Sequence, residues 1–102
     1  MKMPDISEKQ FESQVKYLAK LFGWVYYHTW RSIHSPAGFP DCVIARPPRL
    51  IFAELKSNTG KVSEAQQHWL DLLELIPSVE VYLWRPVDFE DIQRILSRQP
   101  DA

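Results

Sequence analysis

The chain has a single cysteine, Cys42, so no internal disulfide can form and a reducing compartment is the simplest expectation. Cys42 stands in an apolar run between Asp41 and Val43, where burial of a small side chain accounts for it without thiol chemistry. Long apolar runs are missing as well: nowhere does an uncharged stretch approach the roughly 20 residues that a membrane helix needs. Met1 to Lys9 is charged and holds nothing like the apolar core of a signal peptide. These absences lead us to expect a soluble, cytoplasmic protein without a membrane partner. An excess of charge is also missing, with Lys plus Arg at 12 and Asp plus Glu at 13. A protein held to nucleic acid by phosphate contacts alone is strongly basic, so this balance argues against a DNA-coating role. It argues less against an enzyme whose carboxylates bind cations, because bound metal ions supply local positive charge.

What is present suffices for one core. The 102 residues are 45% hydrophobic, with four Trp, four Tyr and five Phe, which suits a single domain over 1–102. Ser7 to Gln10 forms a capping box, and Phe11, Val15, Leu18 and Phe22 follow at helical spacing, so a helix is expected from about Ser7 to Phe22. Trp24 to His28, after Gly23, reads as a strand. Thr29 to Pro40 has loop chemistry and is long for such a small domain, a length that often marks function. Cys42 to Ala45 and Leu50 to Lys56 read as strands joined through Pro47-Pro48, and Asn58 to Gly60 as an exit turn. Ser63 and Gln66 form a second capping box, opening a helix with an expected apolar stripe of Trp69, Leu72, Leu73 and Ile76. Val79 to Trp84 reads as a strand, Asp88 can cap a last helix carrying Phe89, Ile92, Ile95 and Leu96, and Gln99 to Ala102 reads as a frayed tail. The order α-β-β-β-α-β-α describes an α/β fold with a mixed sheet.

Chemistry concentrates on the central hairpin. Side chains two apart on a strand share a face, so Glu54 and Lys56 point the same way, and a reversal at Arg46 to Arg49 returns Asp41 close to Glu54. Two carboxylates and an amine in one pocket suit metal-dependent phosphodiester hydrolysis. Magnesium prefers oxygen, commonly takes one or two carboxylates and keeps several waters. Glu12 falls at the border of the first helix's apolar arc, where it adds a third carboxylate if that helix packs beside the hairpin. Lys56 can orient or activate the attacking water, or offset developing charge.

Gly38-Phe-Pro-Asp41, the apolar strand after it, Phe52-Ala-Glu-Leu-Lys56, Gly60-Lys61, Ser63-Glu-Ala-Gln66 with Trp69, and Trp84-Arg-Pro86 together resemble the VRR-NUC branch of the PD-(D/E)xK nuclease superfamily, in its stand-alone phage and bacterial form. The resemblance spans about Phe11 to Ile95. It implies a restriction-endonuclease-like mixed β-sheet flanked by helices, in a bacterial or phage-infected cell. It also implies a homodimeric DNA endonuclease that uses Mg2+ or Mn2+ and acts on branched DNA such as four-way junctions (Holliday junctions) or flaps. By the same resemblance Asp41 and Glu54 bind the metal, with the Leu55 carbonyl a further ligand, and Lys56 is the catalytic lysine. Glu12 matches the first-helix acidic residue and Gln66 the glutamine after the catalytic strand. Gln66 equally fits a purely structural capping box.

Arg31, His34, Arg46, Arg49 and Lys61 fall in the predicted loops and turns at either end of the hairpin, where they can meet phosphates or stand as ordinary solvated charges. His28, in an aromatic strand with no carboxylate or cysteine at a helpful spacing, reads as packing. Trp30 fits a core or interface aromatic, or a surface on which an unpaired base stacks. Two rivals to the nuclease are a non-cleaving junction-binding module of the same fold and an interaction subunit for a protein partner.

Overall fold

The structure, a computed structural model, describes residues 5–30 and 33–99. Helix α1 (Glu8–Leu21) starts where Ser7 and Gln10 close the reciprocal capping box. It leads through Gly23, at φ 83°, into β1 (Val25–His28), β2 (Cys42–Arg46) and β3 (Arg49–Leu55). Helix α2 (Glu64–Glu74), strand β4 (Glu80–Trp84) and helix α3 (Phe89–Ser97) follow, with a single 3-10 turn at Pro86–Asp88 before α3. The order expected from sequence therefore holds, and the result is an α/β fold with a four-stranded mixed sheet flanked by helices. Strands lie in the order β1-β2-β3-β4. The first two pairings are antiparallel and β3-β4 is parallel, as a strand-helix-strand crossover through α2 requires.

Alternation along the strands sorts the sheet into two faces. Ile44, Ile51, Ala53, Leu55 and Trp84 join Phe11, Val15 and Leu18 of α1 and Ile92 and Leu96 of α3 in the main core. Phe52 takes the opposite face, where its ring meets Phe39, and Phe39 in turn meets Trp69 of α2. The stripe on α2 is phased differently from expectation: Leu70 and Leu73 are buried, whereas Leu72 and Ile76 are exposed. The helix ends at Glu74, so Ile76 lies beyond the regular 3.6-residue spacing that grouped it with the others.

The hairpin turns at Pro47 and Pro48, with Arg46 opposite Arg49. Both guanidinium groups lie over the buried Trp24 indole, at 4.7 and 4.8 Å. Arg46 donates to the carbonyls of Phe22, Leu96 and Arg98, and Arg49 to those of Ile95 and Arg98. The last carbonyls of a helix lack backbone partners and carry partial negative charge, so two cations at the end of α3 satisfy both needs. Arg49 also makes a two-pronged ion pair with Glu80 at 2.7 Å, and its side chain is 7% exposed. Arg49→Ala is expected to destabilise the fold by about 3 kcal/mol, because Glu80 loses its two-pronged partner and keeps only the longer, more exposed Arg98 contact at 3.3 Å. Urea unfolding measures that loss.

Candidate active site

Register brings the acids together. Cys42 pairs with Ala53 and His28 with Cys42, so one step further Asp41 stands between Thr29 and Glu54 at the end of the sheet. The Thr29 N–H donates to the Asp41 carbonyl at 2.8 Å, and the Leu55 N–H donates to Asp41 Oδ2 at 2.8 Å. The segment before Asp41 is fixed by packing. Gly38, at φ 92°, rests on the first turn of α2, where an added Cβ would come within 2.4 Å of the Ala65 carbonyl carbon. Phe39 is wedged between Phe52 and Trp69, Pro40 is buried, and the Trp69 indole donates to the Ala37 carbonyl at 3.1 Å. Gly38-Phe39-Pro40 is thus the device that aims Asp41.

Glu54 is 1% exposed, a rare position for a carboxylate. Its Oε1 accepts from Gln66 Nε2 at 3.3 Å, while Oε2 is buried without a hydrogen-bond partner. Gln66 meanwhile uses its own oxygen to accept from the Ser63 N–H at 2.9 Å. One amide therefore serves both readings that the sequence left open, closing the helix cap with one end and holding Glu54 with the other. Burial first, and then the Asp41 carboxylate beside it, raise the Glu54 pKa far above the ordinary carboxylate range, with Lys56 acting in the opposite sense. Lys56 falls one residue beyond β3, which was expected to include it; it is half-buried, with its N–H anchored on the Trp84 carbonyl at 3.0 Å.

Glu12 approaches from the other side of the sheet end. It is half-buried on α1, and its pKa is raised by burial and then by Asp41. Among the described residues no three His, Cys, Asp or Glu side chains cluster closely enough to hold an ion by themselves. The compact set is therefore Asp41 with Glu54, plus the Leu55 backbone that Asp41 already grips, and Glu12 stands at its margin. A hard divalent cation fits this set: it would partner the orphaned Glu54 Oε2 and relieve the repulsion between two adjacent acids, and magnesium needs no third carboxylate.

The candidate phosphate contacts divide. Arg46 and Arg49 are not brought to this end; five steps along the strand, about 17 Å, separate Arg49 from Glu54, and both arginines are spent on Trp24 and α3. Lys61 is exposed on the connection into α2 and His34 is exposed in the long loop. Arg31 lies outside the described residues. His28 is half-buried and packs against Trp30, as its aromatic strand suggested, but Trp30 is 80% exposed and is no core residue. Cys42 is buried as expected, and burial pushes its thiol up to about 12.

Two contributors escaped the sequence. Thr29 flanks Asp41, and its buried Oγ1 lacks a partner just as Glu54 Oε2 does. Arg85 donates to the carbonyls of Ser57 and Gly60, both at 2.7 Å, bracing the turn that follows Lys56. A long side chain in the Trp84-Arg-Pro86 segment was visible, but its partners lie 25 to 28 residues away. Among the described residues no helix is long and apolar enough to cross a membrane. Comparison with protein-family models, with curated proteins and with solved structures finds no match.

Proposed function

We propose that this protein is a divalent-metal-dependent DNA endonuclease of the VRR-NUC type, acting on branched DNA as a homodimer. The observation that carries the reading is the pair Asp41 and Glu54: adjacent, held by Leu55 N–H and Gln66, with one Glu54 oxygen buried and unpartnered. Burying Glu54 beside the half-buried Asp41 without a cation is costly, and such arrangements cluster at sites of function. The ordered motifs around the pair support the family assignment, and the mixed sheet with helices on both faces is compatible with a restriction-endonuclease-like fold.

When bound, Mg2+ or Mn2+ would supply Lewis-acid stabilisation of the phosphoryl oxygens and an activated water. The chain's own residues do the rest. Asp41 and Glu54 would hold the ion, with the Leu55 carbonyl as a further ligand, while Gln66 keeps Glu54 from swinging away. Lys56 would present an amine near Glu54, where it orients the attacking water or takes its proton and offsets charge gathering on the phosphate. Glu12, at the margin, would act through water. The dimer follows from the resemblance and makes physical sense for branched substrates, since two symmetry-related sites can cut opposed strands. Val25 and Tyr27 of the edge strand and Leu72 and Leu75 around α2 leave apolar surface exposed for such a contact.

The test is incubation of purified protein with end-labelled linear, nicked, flapped and four-way DNA, with Mg2+, with Mn2+ and with chelator. Cutting is expected only with a divalent ion and faster on branched than on linear duplexes. Cutting that persists in chelator, or no cutting of any substrate with either ion, removes the reading.

A further inference from the structure

Beside the paired acids a cleft of about 650 Å3 opens between residues 29–30 and 35–39 on one side and the first turn of α2 on the other, and Asp41 forms part of its wall. That is the size range of pockets for small organic groups, about 300–1,000 Å3. Its chemistry is selective. Asp41 is the one charged side chain in the described lining; around it stand Trp30, Phe39, Trp69, Ser35 and Ser63. Among the described lining residues a phosphate would meet a carboxylate and no cation, which disfavours it. A neutral planar group meets indole and phenyl surface with hydroxyls at the rim, which suits a nucleobase.

Trp30 is placed to be the stacking surface. It is 80% exposed at the cleft, and His28 meets it at 88° with ring centroids 5.1 Å apart, which fixes the indole from one side only. His28 is itself anchored as the last residue of β1, opposite Cys42. Trp30 is thereby tied to the same sheet end that carries Asp41, which the Thr29 N–H grips one residue earlier.

We infer that this cleft receives one unpaired nucleobase of the substrate, stacked on Trp30, while the adjoining phosphate lies outside it, at the cation that Asp41 and Glu54 would hold. The inference rests on the nuclease reading and narrows its substrate to DNA with an unpaired or easily extruded nucleotide next to the cut. A base inside an intact duplex is stacked on both sides and must first be unpaired, a cost that is least at mismatches, loops and branch points. Preference for flapped DNA then has a local cause: the unpaired nucleotide at the branch enters the cleft without breaking a pair, whereas a four-way junction must open one.

The experiment crosses two changes. Flapped DNA with a normal base or an abasic residue at the branch is cut by the wild-type protein, by Trp30→Ala and by Trp30→Phe. Removing a stacked base costs about 5- to 150-fold in kcat/KM by the usual range for base-aromatic stacking. The wild type is expected to lose that factor on the abasic substrate, Trp30→Ala to lose it on the normal substrate with no further loss on the abasic one, and Trp30→Phe to keep most activity. In parallel, 2-aminopurine at the branch nucleotide, with calcium present, should be quenched on binding wild type and not Trp30→Ala. Equal cutting of normal and abasic DNA by the wild type, or additive losses, overturns the inference and leaves the nuclease reading standing. Quenching without cutting in any metal sinks the nuclease reading and keeps the stacked base, and neither signal sinks both.

Discussion

Lys56→Ala is expected to cut branched DNA about 10²- to 10⁴-fold more slowly than the wild type with little change in KM, the effect of removing one positioned acid-base group. Lys56 comes directly after β3, and its backbone is already fixed by the Trp84 carbonyl, so truncation leaves the strand in place. Lys56→Arg separates two roles. Arginine keeps the charge but does not give up its proton near neutral pH, so it should stay within about tenfold of the alanine protein if the amine handles the water's proton. Asp41→Asn provides the companion test. Its side-chain oxygen can still accept from the Leu55 N–H, which preserves the fold, while the lost charge weakens the ion's hold. Cutting should fall at least as far as in Lys56→Ala and recover partly at high Mn2+. Unaltered rates in either variant, with unchanged unfolding midpoints, would mean that the sheet end is not the reaction centre.

Local chemistry made much of this visible in the residues. Capping boxes act over three positions, and both were readable: Ser7 with Gln10 and Ser63 with Gln66 open the helices they announced. The hairpin was readable too, since a break at Pro47-Pro48 between two apolar runs fixes a register in which Asp41 faces Glu54. What stayed hidden depends on partners far along the chain. Arg46 and Arg49 looked like exposed turn cations because nothing nearby answers their charge; the groups that do are Phe22, Glu80 and the end of α3, 24 to 52 residues away. Gly38 could be recognised as a loop residue, but only the packed fold shows that α2's backbone occupies the space where a side chain would go. The burial of Glu54 is of the same kind. Its exposure is set by α2 closing over the strand, which no pattern within β3 records, and that closure turns an ordinary acid into a strained one.

The strain predicts an uncommon result: Glu54→Gln should make the metal-free protein more stable while abolishing its chemistry. Glu54 holds its proton more tightly folded than unfolded, since burial and Asp41 both disfavour its charge. The folded state therefore binds more protons than the unfolded state above the ordinary carboxylate value of 4.5, and stability falls as pH rises from there through neutrality. Glutamine has the same shape and no charge to desolvate, and it can still pair with Gln66 across the 3.3 Å contact once one amide turns. At pH 8 in chelator the variant should gain about 1–3 kcal/mol, the usual cost of an unsatisfied buried group, and its stability should lose most of the slope with pH. Adding Mg2+ reverses the order. On the proposed function the ion should bind the folded wild type through the very charges that destabilise it, giving about 2.7 kcal/mol at a hundredfold excess over Kd, and that gain should grow with pH as protons leave the pair. The variant, with one ligand charge gone, should respond weakly. Denaturant unfolding at pH 5, 6.5 and 8, with chelator and with Mg2+, gives all six comparisons. A Glu54→Gln protein less stable than the wild type in chelator at pH 8, or equally stabilised by Mg2+, would show that this carboxylate is settled by contacts other than a cation.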